Sequence, residues 1–336
     1  MVEILASMTR NGLVENIIRG SLVVINHQGH IKGYCGDCHQ LAYLRSAAKP
    51  LIAVTLIESG AAAALGLTEA EVAVACGSHI GADEHLEAVF GLLAKSNFAE
   101  EDLIAGPVLS LDRKLHEARI RDQVAPRKAY HNCSGKQAAM LAICRYKKWD
   151  SVGYQYSDHP LQQYLLQTIA DFCDLMPQDI ILGIDGCGVP VHGMPLYQMA
   201  LAYLKLSNNG FLPEPRQRAV TQVLDALGAY PSMISGRGQF CTELLQVTQG
   251  RIIGKLGADG LYLAAERNGG WSLALKVEHG ASSLVPAIVV CALKQLNLLA
   301  EDEQQALSRF AVKPVKATTG EQVGEQKAEF FLKKGL

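Results

Sequence analysis

The stretch RSAAKPLIAVTLIESG, residues 45–60, places a serine and a lysine three residues apart at the entrance of an apolar segment. Residues three apart on a helix share a face, so Ser46 and Lys49 can meet there as nucleophile and base. The pattern reads equally as a helix start, with Ser46 as N-cap, Pro50 in the first turn and Lys49 solvated. Against that second reading, a cation at the positive end of a helix is mildly unfavourable, and this one precedes a strongly apolar run. It is the single S-x-x-K in the chain. The helix that follows spans about residues 47–59, and the rest of the sequence has to supply its surroundings.

Outward from this stretch, residues 12–34 alternate as two strands around NHQGH. EVAVACGSH (71–79) reads as a buried strand ending in a turn, followed by an amphipathic helix from about Asp83 to Lys95. Residues 113–128 read as a charged surface connection. NCSGKQAAMLAICRY and DHPLQQYLLQTIADFC read as buried helices, and DIILGIDGCGVP as a strand entering a glycine-rich loop. Helices continue from Leu196 to about Leu227, with LPEPRQR as a capped start. Beyond residue 250 strands return, with a hairpin turning at Asn268-Gly269-Gly270, and a helix follows over 281–298. The pattern predicts one α/β unit spanning 1–336. A mainly antiparallel sheet is built from strand-rich ends, about 1–100 and 250–336, and a helix-rich section of about 101–249 is inserted between them.

The 336 residues are 49% hydrophobic and 19% charged, with a formal net charge of -2, which describes a globular chain with a sizeable core. Scattered Lys and Arg give no electrostatic footprint for nucleic acid or an anionic membrane. The apolar runs are broken before spanning length and no signal-peptide pattern opens the chain, so the expected location is the cytoplasm. Nine irregularly spaced cysteines suit free thiols better than a disulfide framework. Cys35 and Cys38 form a lone C-x-x-C, read as idle in a loop rather than redox-active or metal-binding.

Four further stretches crowd glycine around a nucleophile or charge: CGSHIG (76–81), HNCSGK (131–136), GIDGCGVP (183–190) and GKLGADG (254–260). In this order, together with RSAAKP, GLVENIIRG and DHPLQ, they resemble the asparaginase II family of bacterial and fungal L-asparaginases, the Rhizobium-type or class 3 enzymes. The resemblance runs over essentially the whole chain. It implies a fold similar to serine β-lactamases and serine-dependent glutaminases, and hydrolysis of L-asparagine to L-aspartate and ammonia. It places Ser46 with Lys49, and Ser78 with Lys255, as two serine-lysine pairs. It also puts Arg45 in the active site, and Cys133, Lys136 and Cys187 around a modulatory zinc ion completed by a ligand such as water; Asp185, by its chemistry, and His79, beside its motif, are read as further substrate contacts. A homodimer is implied in the same way.

The residue types suit that chemistry. A lysine is a base near neutrality only where burial or another cation lowers its pKa. Arginine grips a carboxylate bidentately, Asp185 can accept from an α-ammonium, and the turns at 77 and 135 can offer backbone N–H groups to an oxyanion. Two positions depart from the family pattern, Gln137 where histidine is expected and Gly77 where alanine is common. His131 and His192, beside the motifs, read as structural. Other readings are a glutaminase or other serine-lysine amidohydrolase, a penicillin-type acyl transferase, and a non-catalytic amino-acid or zinc-binding protein. The acyl transferase lacks its S-D-N and K-T-G elements here.

Overall fold

The computed structural model describes residues 1–335 as two compact units. One consists of residues 1–47, 194–208 and 243–335; the other of residues 48–193 and 209–242.

The first unit is built on a nine-stranded sheet. Its main path runs Val312–Lys316, Gln322–Ala328, Glu3–Arg10, Leu13–Asn26, Trp271–Val277, Leu261–Glu266, Ile252–Gly257. The strands Ile31–Cys35 and Lys333–Lys334 extend it from the second half of Leu13–Asn26. The pairings along this sheet are antiparallel, as expected, and both ends of the chain contribute. Leu22, Val23, Val24 and Ile25 are all fully buried, so this strand is covered on both faces and cannot alternate polar with apolar. Helix Leu196–Ser207 packs on the sheet, and Ser272 Oγ donates to its Ala200 carbonyl at 2.6 Å. Cys35 and Cys38 are buried in this unit; burial pushes the Cys35 thiol up to about 12 and raises Cys38 as well. Thiols so reluctant to ionise are poor nucleophiles, and Cys35 closes the strand Ile31–Cys35 rather than lying in a loop.

The second unit is helical and surrounds Ser134–Lys147, whose residues from Ser134 through Cys144 are all buried. Helix Lys49–Glu58 has eight buried residues in a row, Lys49 through Leu56, so it is core all round rather than amphipathic. It begins two residues later than expected, because Arg45–Ala48 is a 3-10 turn. Its N-cap is Ala48, with no side-chain cap, so Ser46 does not cap it.

Glu69–Ala75 is a helix, not the strand expected. Thr68 Oγ1 accepts from the Glu71 N–H at 3.3 Å, and Glu71 Oε2 accepts from the Thr68 N–H at 2.7 Å. This reciprocal cap outweighs the β-branched run that suggested a strand. The segment 113–128 is exposed as read but contains a helix, Arg113–Arg121, capped by Asp112. Asp83–Lys95 has the bounds expected of it. Ile181–Ile184 and Pro190–Pro195 pair antiparallel and leave 185–189 as the turn between them.

Candidate active site

In the helical unit, helix Glu69–Ala75 ends at Cys76 and the chain turns over Gly77, whose N–H closes on Val74 O. A Cβ on Gly77 would lie 2.1 Å from the Met233 carbonyl, so the close approach of 233–234 requires glycine here. Ser78 N–H then donates to Ile234 O at 2.9 Å, fixing the half-buried serine.

Lys49, the first residue of its helix and only 1% exposed, projects onto this turn. Its Nζ makes three hydrogen bonds: to Ser78 Oγ at 2.9 Å, to Gly77 O at 2.8 Å and to Asn132 O at 2.8 Å. The serine held by Lys49 is thus Ser78, where helical spacing pointed to Ser46; a lysine has three donors, and all are taken up within this unit. Burial lowers the Lys49 pKa and the nearby Lys136 cation adds to the effect, while the Cys133 thiolate opposes it. Gly77 N–H, already bonded to Val74, is not available to an oxyanion. Gly135 lies in the first turn of Ser134–Lys147, where backbone N–H groups precede intrahelical pairing.

His79 is fully buried. Its Nδ1 accepts from the Gly81 N–H at 3.2 Å, so the proton is on Nε2 and is donated to Ser134 Oγ at 2.9 Å; Ser134 in turn donates to Ala129 O at 2.9 Å. Burial, helped by the stacked ring of His85 5.2 Å away, pushes His79 well below the ordinary histidine value. It is a neutral ring with both nitrogens engaged, and it ties CGSHIG to HNCSGK.

Cys133, Lys136, Asp185 and Cys187 gather beside these loops. One donor atom from each of Cys133, Asp185 and Cys187 lies within 4.8 Å of the others. Lys136 Nζ donates to Cys187 Sγ at 3.0 Å and stands 3.9 Å from Asp185 Oδ2. The Cys187 thiol donates to Cys133 and holds it well below the usual thiol value, with Lys49 and Lys136 reinforcing; Cys187 is raised correspondingly. Burial pulls Lys136 down, but Cys133, Cys187 and Asp185 more than offset it and keep it a cation.

In the sheet unit, Lys255 is fully buried on Ile252–Gly257 and donates to Leu256 O at 2.9 Å. Arg45 adopts a left-handed φ of 47° and ion-pairs with Asp259 of GKLGADG. Sequence reasoning missed Asp259, although an aspartate within a shared motif is the natural counterion for the arginine. It also missed the Asn132 carbonyl, because a backbone acceptor leaves no side-chain signature.

The family model described as L-asparaginase II matches residues 6–328. The chain belongs to this family. A comparison with curated proteins gives no match. Among solved structures, similarity is found to Mglu in its tris and glutamate form, at 16% identity over 84% of this chain and 60% of that one, TM-score 0.38. The chain thus spans 60% of the Mglu length. A Bacillus glutaminase aligns at 12% identity over 83% of this chain and 91% of that one, TM-score 0.39. A β-lactamase from Mycobacterium bovis aligns at 14% identity over 82% and 94%, TM-score 0.43. No helix among the described residues is long and apolar enough to cross a membrane.

Proposed function

We propose that this chain hydrolyses L-asparagine to L-aspartate and ammonia through a serine ester, with Lys49 as base. The observation that carries the reading is the bonding of Lys49 Nζ. Two of its positions face the carbonyls of Gly77 and Asn132, which can only accept. When the amine is neutral its two N–H groups satisfy those carbonyls, and the lone pair is left facing Ser78 Oγ. A buried lysine of lowered pKa, oriented this way, meets the requirement for a general base.

Ser78 Oγ gives its proton to Lys49 Nζ and bonds to the carboxamide carbon. Lys49 then protonates the departing nitrogen, which leaves as ammonia, and the serine ester remains. Water attacks the ester carbon, its proton passes to Lys49, and Ser78 recovers a proton as aspartate leaves. Gly135, in the first helical turn, offers an N–H to the oxyanion. Asp185 accepts from the α-ammonium. His79 acts by holding its loop in place. Ser46 and Lys255 form part of the same proposal, Ser46 as the alternative nucleophile.

The donor chemistry of Cys133, Asp185 and Cys187 fits zinc, which takes thiolate and carboxylate ligands; Lys136 would have to lose its proton to join them. Bound there, zinc would neutralise the thiolates and fix the 185–187 turn. We assign it no part in bond breaking. The homodimer and the cytoplasmic location belong to this reading as well.

Ammonia release from asparagine and from glutamine, by wild type, Ser78→Ala and Ser46→Ala, is the decisive experiment. Activity on asparagine that Ser78→Ala abolishes supports the reading. Activity on glutamine alone, or none on either amide, overturns the substrate; loss in Ser46→Ala alone overturns the choice of nucleophile.

A further inference from the structure

Gln137 departs from the family pattern, and its bonds give it a task. It is fully buried in the first turn of Ser134–Lys147, and its own N–H closes that turn on Cys133 O at 3.0 Å. Its side-chain Oε1 accepts from the N–H groups of both Ile104 and Ala105 at 3.1 Å, and its Nε2 donates to Cys187 O at 3.0 Å. One amide therefore joins the helix carrying Lys136, the segment at 104–105, and the turn carrying Asp185 and Cys187.

That turn is stiff within itself. Asp185 N–H donates to Val189 O and Gly188 N–H to Asp185 O, each at 2.8 Å, while Asp185 Oδ1 accepts from Gly186 N–H at 2.9 Å. The Cys187 thiol is 3.6 Å from Asp185 Oδ2. A stiff turn moves as a body, so a bond to its Cys187 carbonyl sets the carboxylate and the sulfur together. We infer that Gln137 is a positioning residue which, by holding the Cys187 carbonyl, aligns Asp185 and Cys187 with Cys133 and Lys136.

Carboxamide is the group that fits: it offers two acceptor lone pairs on one atom and a donor on the other. Glutamate keeps the two N–H bonds and loses the donor to Cys187. Neutral histidine keeps one acceptor and one donor, and leucine keeps neither. The importance of what Asp185 and Cys187 then do rests on the proposed function, but their placement does not.

The test uses the full chain, first after chelator treatment. Iodoacetamide labelling is followed by peptide mass spectrometry at Cys187 and at Cys144, a fully buried core thiol of the same helix. Gln137→Glu and Gln137→Leu should speed Cys187 labelling by about 10-fold or more, leave Cys144 unchanged, and lower zinc affinity, read by competition with a chromogenic chelator, by about 10–100-fold. In active protein the KM for asparagine should rise further than kcat falls, with Gln137→His intermediate. Unchanged Cys187 labelling in folded variants overturns the inference, as does acceleration of Cys144 along with Cys187, which would mark general loosening. If Gln137→Leu does not fold, Gln137→Glu, which retains both N–H bonds, carries the test. A wild type inactive on asparagine defeats the proposed substrate and leaves the labelling result standing.

Discussion

Lys49 Nζ and Ser78 Oγ lie 2.9 Å apart, and the carbonyls of Gly77 and Asn132 occupy the remaining bonding positions of the amine. Removing either partner should therefore remove the chemistry. Ser78→Ala and Lys49→Met are each expected to lower kcat/KM for asparagine by about 10²–10⁴-fold, measured by ammonia release. Lys49→Arg should not restore it, because a guanidinium does not deprotonate. Near-normal turnover in Lys49→Arg would mean that the charge matters and the lone pair does not.

The pH profile should carry the lysine's mark. Burial holds the Lys49 pKa below the ordinary lysine value of 10.5. The base is the neutral amine, so activity rises as pH rises through that lowered value and is lost on acidification. Lys136 is one cause of the lowering, so after chelation Lys136→Met should shift the rising limb of kcat/KM to higher pH. A limb at the histidine value of 6.5 that moves in His79→Gln instead would make His79 the base.

Three buried histidines should make the fold acid-sensitive. Burial holds His79 well below 6.5, lowers His85, and takes His192 to about 4. Unfolded histidine binds a proton below about 6.5 and these folded rings do not, so stability is full above that value and falls as pH drops. For His192 alone, the loss should approach about 3 kcal/mol by the time pH reaches its folded value. Urea melts between pH 7 and 4 should show a shallower decline in His192→Leu than in wild type.

Gly77→Ala tests the departure from the family pattern. The new Cβ meets the Met233 carbonyl at 2.1 Å, against backbone that cannot rotate away, so a loss of about 1–3 kcal/mol is expected from overpacking. Because Ser78 hangs on the same segment, activity per folded molecule should also fall. A variant as stable and as active as wild type would show that 233–234 yields freely.

Dialysis against a strong chelator should weaken asparagine affinity or thermal stability while leaving measurable turnover, since the proposed nucleophile is a serine. Cys133→Ser should mimic the chelated enzyme and cease to respond to added zinc. Complete loss of turnover that zinc restores would point to a metal-activated water.

The sequence was most informative where chemistry is local. Turn residues at Asn268-Gly269-Gly270 and the strand runs on either side mark a hairpin without help from the rest of the chain, and Trp271–Val277 pairs with Leu261–Glu266 as that pattern demands. The amphipathic period of Asp83–Lys95 was legible for the same reason. Glu69–Ala75 differs from the pattern because its apolar, β-branched run fits a buried strand as well as a buried helix, and the reciprocal cap at Thr68 and Glu71 decides for the helix.

By itself the sequence determined the family, the strand-rich ends around a helical middle, and the residue types gathered around Lys49 and Lys136. Tertiary structure alone decided which serine Lys49 holds. Spacing along a helix places Ser46 near it, but the amine is satisfied by Ser78 and two carbonyls from segments 28 and 83 positions away. It likewise decided that both ring nitrogens of His79 are hydrogen-bonded, that Gln137 is joined to the Cys187 carbonyl, and that Gly77 must lack a side chain. The physical reason is common to these cases: each depends on backbone carbonyls and N–H groups brought together by folding, and every residue type carries the same ones.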